Sequence, residues 1–175
     1  QRFVVQVVDS SGVAKSDVTI SPSIDLLRFH KGFWSPFLLN SAGQCVNSQG
    51  VVVPDAECQT LDDWAQYERA TCDNEDLNRN GVAEVYSSSP LIKEDANGSF
   101  NLTAGRPALE PRKADVAVSF EGSNKTDTSG QVILRITYPK NLGSWVTFNL
   151  VVAASGVAGS EGRANYESRL EVLAA

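Results

Sequence analysis

Strict alternation of apolar residues over short runs most limits what this chain can fold into. In SWVTFNLVVAAS (144–155), Val146, Phe148, Leu150 and Val152 fall on one side and Trp145, Thr147, Asn149 and Val151 on the other. In QVILRITYP (131–139), Val132, Leu134, Ile136 and Tyr138 share a face. Pro139 ends that run, because proline cannot donate to a ladder. DVAVSF (115–120) aligns Val116, Val118 and Phe120, and RFVVQVV (2–8) aligns Phe3, Val5 and Val7. After the turn residues DSSG (9–12), Val18 and Ile20 alternate again, and ANYESRLEVLA (164–174) continues through Tyr166, Leu170 and Val172. A period of two marks half-buried strands. Several such strands, separated by Gly/Ser/Asp/Asn turns, predict an all-β fold, an antiparallel β-sandwich.

The middle of the chain, about residues 25–113, breaks this grammar. It reads as a long, loop-rich insertion in one domain spanning residues 1–175, and it carries the cysteines and the acidic loops. The spacing of Leu61, Trp64 and Tyr67 in TLDDWAQYERA (60–70) predicts one short helix, with Thr60 as N-cap and Asp62 and Asp63 in the first turn. From 72 to about 111 the chain is polar and rich in Gly, Asn, Pro and Ser. A structureless loop of that length needs something other than an apolar core to order it.

With 42% apolar and 21% charged residues, a folded protein is expected. The formal net charge is −6, and the 15 Lys and Arg form no stripe, which argues against a nucleic-acid partner. No apolar run approaches the ~20 residues of a membrane span, so this stretch is not expected to be membrane-inserted. A chain with no Met that starts at Gln1 reads as a trimmed or mature fragment. Cys45, Cys58 and Cys72 include no CxxC pair, which disfavours zinc. One disulfide and one free thiol are expected, in an extracellular, cell-surface or periplasmic setting. The spacing leaves the pairing open, with Cys72 expected to anchor the polar segment that follows it.

The stretch CDNEDLNRNGVAE (72–84) carries the chemistry. Calcium takes six to eight oxygens, and loops supply them from alternate Asp/Asn positions, a sharp Gly turn and a backbone carbonyl. Asp76, Asn78 and Asn80 occupy alternate positions, Gly81 supplies the turn, the Val82 carbonyl follows, and Glu84 lies two residues on. The closing position of such a loop wants a bidentate Glu and holds Ser87. Glu94, in KEDANGS (93–99), is the expected replacement, with Asp95 able to start a second site. The expected metal ligands are therefore Asp76, Asn78, Asn80, Val82, Glu84, Glu94 and Asp95, for Ca²⁺.

The aromatic stretch LLRFHKGFWSPF (26–37) reads as strands whose rings fill a core, with a carbohydrate or peptide platform as the alternative. His30 reads as a structural hydrogen bonder. No G-x-S-x-G, P-loop or HExxH occurs.

FVVQVVDSSGVAKSDVTISPSI, with its Asp-x-x-Gly turn before a Val-Thr strand, and TDTSGQVILRITYP, with its Thr-Asp-x-x-Gly turn, resemble bacterial immunoglobulin-like repeats of the invasin/intimin type. CDNEDLNRNG also resembles loops of such proteins. The second motif, EDANGSF, departs from the usual pattern. The resemblance implies an immunoglobulin-like sandwich, calcium at Asp76, Asn78, Asn80, Val82 and Glu94, a secreted or surface location, and no catalysis. The expected function is a calcium-stabilised adhesion or spacer module whose partner is a surface protein or glycan. A carbohydrate-binding module using Trp34 or Trp64 is the first alternative, and a carboxylate-based hydrolase is the second.

Overall fold

The computed structural model describes residues 1–58, 64–75, 113–157 and 160–172. Among them are strands β1 (Arg2–Gln6), β2 (Thr19–Ser35), β3 (Ala65–Asp73), β4 (Ala117–Phe120), β5 (Gln131–Thr137), β6 (Val146–Val157) and β7 (Ser160–Arg169). A one-turn helix α1 (Asp55–Cys58) precedes β3, and a 3-10 turn (Lys140–Leu142) joins β5 to β6. Two sheets form, in the orders β1-β5-β4 and β3-β2-β6-β7. The all-β sandwich expected from the alternation is the fold observed.

The chain divides into two compact units, one of Gln1–Phe29 with Cys72–Ala175 and one of His30–Thr71. The first unit holds the main core. Val132, Leu134 and Ile136 of β5 meet Val146, Phe148, Leu150 and Val152 of β6, with Val18, Ile20, Tyr138 and Leu170 closing the ends. Leu134 and Phe148 are fully enclosed. Phe3 meets Phe148 edge to face across the sheets, at 6.2 Å. Truncating a ring such as Phe148 in such a core costs about 3–5 kcal/mol.

Two readings of the middle region are refined. The strands expected over 26–37 are met by one, because β2 runs unbroken past residue 25, where the insertion was expected to begin, to Ser35. A bulge between Leu26 and Arg28 shifts its register against β6. The extra residue resets the alternation, so that Leu26 and Phe29 both pack on the core. That reset hid the continuity of the strand from a period-two reading. The helix expected over 60–70 is not formed from residue 65 onward, where the chain is strand β3 beside β2. Pairing overrides the helix-like spacing of Trp64 and Tyr67.

Four tight turns share one design. Asp9-Ser-Ser-Gly12, Asn40-Ser-Ala-Gly43, Asn47-Ser-Gln-Gly50 and Asp127-Thr-Ser-Gly130 each open with Asp or Asn. In each, its side-chain oxygen accepts N–H bonds from the residues two and four further on, at 2.8–3.1 Å. Each closing Gly has φ between 75° and 79° and donates back to the Asp or Asn carbonyl. The two Asn turns went unrecognised in the sequence, although Asn-Ser-x-Gly is as readable as Asp-Ser-x-Gly.

The Thr126-Asp127-x-x-Gly130 motif has a role for each residue. Buried Thr126 accepts the Val18 N–H at 3.0 Å and donates to the Lys15 carbonyl at 2.7 Å. Asp127 caps the turn. Gly130 passes so close to the neighbouring hairpin that a Cβ would lie 2.6 Å from the Val7 carbonyl oxygen.

Gly12 has the same positive φ but open space around it. Gly12→Ala is expected to cost about 1 kcal/mol, and Gly130→Ala about 1–3 kcal/mol beyond that, read from urea midpoints. Acid should also weaken these turns. The Lys15 ammonium, with the N–H groups of Val13 and Ser11, holds the Asp9 carboxyl at about 2. The N–H of Gln131, then Ser129, holds Asp127 below the usual range. Both carboxyls are depressed by folding, so their contribution is full above the ordinary Asp value near 4. It fades as pH falls toward about 2. The melting temperature should drop across that window, less so in Asp9→Asn with Asp127→Asn, which keep the acceptor as Asn40 and Asn47 do.

Candidate functional site

The second unit, His30–Thr71, is held by different means. Two consecutive hairpins, bridged at Leu39–Cys45 and Val46–Val52, are closed by the Asn40 and Asn47 turns. Pro54 then starts α1, its carbonyl accepting from Cys58 N–H at 2.9 Å. That turn brings Cys58 to Cys45, and the two form a disulfide. Cys45, Val53 and Cys58 make a small core with Phe37 and Leu39 around it. Cys72 carries the free thiol, so it does not anchor the following segment through sulfur as expected.

A core this small cannot enclose every ring in its unit. Phe33 and Trp34 are neighbours on β2, so their side chains point to opposite faces. Both are 37% exposed, which places this stretch of strand in solvent on both sides. Trp64 is 62% exposed. The expectation that the rings of 26–37 fill a core therefore holds for Phe29 and Phe37 and fails for Phe33 and Trp34.

One of these exposed rings is held in place. Phe33 stacks on Tyr67 at 5.4 Å with 20° between planes. The Arg69 guanidinium lies 5.4 Å from the Phe33 ring centre, on a cation–π contact. The Tyr67 hydroxyl accepts the Leu39 N–H, tying the stack to the disulfide unit. Tyr67 and Arg69 sit two apart on β3, which aims both toward one face. Read as helix, they gave no sign of this role. Their i, i+2 spacing was the available signal.

Behind the rings lies a polar node. His30 Nδ1 is 3.0 Å from Glu68 Oε1 and 3.2 Å from Thr71 Oγ1, and Thr71 donates to the same Glu68 oxygen. The imidazole side chain is almost fully enclosed, at 4% exposure. These contacts at Nδ1 cross-link β2 and β3. A cleft of about 460 Å³ opens between Phe37, Leu39, Val52, Val53 and the disulfide.

The expected metal ligands, Asp76, Asn78, Asn80, Val82, Glu84, Glu94 and Asp95, lie outside the described residues. Among the described residues, no three His, Cys, Asp or Glu side chains group as a metal site. No helix among them is long and apolar enough to cross a membrane.

Replacing Cys45 and Cys58 by Ala opens a link of sequence separation 13 and is expected to cost the second unit about 3 kcal/mol. Hydrogen exchange should rise in residues 37–58 while Leu134 and Phe148 stay protected.

No family model, curated protein or solved structure matches this chain.

Proposed function

We propose that this chain is a non-catalytic, immunoglobulin-like recognition module that acts in adhesion by binding glycan through the aromatic surface of its second unit. The exposure of Trp64, Trp34 and the braced Phe33 within one unit carries this reading. Flat rings held in place lose little entropy when a sugar face covers them, and the burial of their apolar area supplies the affinity. Arg69 and Lys31, also on this exposed stretch, offer donors to sugar hydroxyls or carboxylates.

The disulfide fits an oxidising compartment, in keeping with a secreted, cell-surface or periplasmic site. Calcium at Asp76, Asn78, Asn80, Val82, Glu84, Glu94 and Asp95 belongs to the same proposal. It would order a polar segment that an apolar core cannot order.

A glycan array followed by calorimetry tests the recognition surface. Trp64→Ala and Trp34→Ala should each weaken the best glycan roughly tenfold or more with little change in melting temperature. Equal affinity in both variants, or no glycan bound, would falsify the aromatic surface as the site. For calcium, metal-free protein should melt higher when Ca²⁺ is added, and an unchanged melt removes calcium from the proposal.

A further inference from the structure

Among the described residues, one edge of the first unit's smaller sheet is unpaired. Strand β1 ends its sheet, with β5 on one side only. Gln1 accepts from Ile136 N–H, and Val7 N–H donates to Gly130, each at 2.8 Å. Antiparallel ladders alternate, so Gln1, Phe3, Val5 and Val7 face β5, and the backbone groups of Arg2, Val4 and Gln6 point outward. Among the described residues nothing takes up those groups.

Edge strands are normally guarded by charge, proline or a bulge. At the far side of the seam, β7 carries Arg163, Glu167 and Arg169. Strand β1 reads RFVVQ, and its single charge, Arg2, is tied to Glu121 at 2.8 Å. Beneath this unguarded edge runs a groove of about 440 Å³, lined by Phe3, Val5, Leu150, Val152, Ala164 and Tyr166 among others, none of them charged. Leu150 and Val152 also belong to the main core, so the groove is a seam where that core reaches the surface.

We propose that the β1 edge and this seam accept an extended, uncharged polypeptide strand supplied in trans, with apolar side chains at alternate positions. Outward backbone groups at every second residue are complementary to a strand and to no other shape. The uncharged lining selects the occupant's side chains, since a charge entering it would be desolvated without a partner. This site is separate from the aromatic surface, and either proposal can fail alone.

The test titrates a fluorescent, acetylated and amidated peptide, Thr-Val-Thr-Val-Thr-Val-Thr, into the whole chain. Saturable binding is expected, with amide shift changes and slowed exchange at Arg2, Val4 and Gln6. Val4→Pro removes an outward donor and leaves the β5 ladder intact, so it should fold and bind at least roughly tenfold more weakly. Ala164→Glu puts a carboxylate in the seam at an exposed position and should weaken binding similarly, which keeps the test valid if the proline variant fails to fold. A peptide with Asp at the Val positions should not bind. Absence of saturable binding, or unchanged binding in the folded variants, overturns the proposal. So does a wild-type dimer in sedimentation that Val4→Pro dissolves, which assigns the edge to a second copy.

Discussion

The contact between the inward faces of β5 and β6 carries the first unit. Val132, Leu134 and Ile136 oppose Val146, Phe148, Leu150 and Val152, and the innermost of these have no exposure at all. Every other strand of that unit is placed by pairing to one of these two. β1 and β4 flank β5, and β2 and β7 flank β6. Polar turns then hold what the core brings together. Thr126 bonds the Lys15–Val18 stretch, and Gly130 lets two hairpins approach more closely than any side chain would permit.

The second unit solves the same problem with few apolar residues. Its fixed points are a covalent bond, two Asn-closed turns and a His–Glu–Thr node. Fixing a short chain by such local ties needs no large enclosed volume. Rings that a larger core would absorb are therefore left at the surface, and one of them, Phe33, is braced by a stack and a guanidinium. Rigidity and exposure, which usually oppose each other, occur here in the same side chain.

The parts legible from residues alone are those with one dominant local cause. Alternation in 131–139 and 144–155 located β5 and β6 with their faces assigned correctly, because central strands packed on one core obey period two. Asp9 and Asp127 announced their turns by composition. Strand character in 26–37 was legible from its residues, but its continuity with the strand before it was not, because one bulged residue shifts the pattern. Strand β3 was misread because Trp64 and Tyr67 lie at helical spacing while their real constraint is the neighbouring strand. The disulfide pairing could not be read from spacing, since it depends on how two hairpins and a helical turn bring Cys45 beside Cys58. Trp34 and Trp64 were named as a platform, but the Tyr67–Arg69 brace was hidden inside the helix reading.

The pairing of β1 with β5 has a consequence for how the chain comes to fold during synthesis. Gln1 and Ile136, which bond to each other, are 135 residues apart in sequence. Closing so long a loop has a high entropic cost and is slow. The hairpins of the second unit close over three or four residues and can form as soon as they emerge. At a ribosomal rate of about 5–20 residues per second, β1 and the start of β2 wait many seconds for the strands that cover them. During that interval RFVVQVV is an apolar strand without a sheet, and the disulfide unit behind it is the first part of the molecule able to hold a shape.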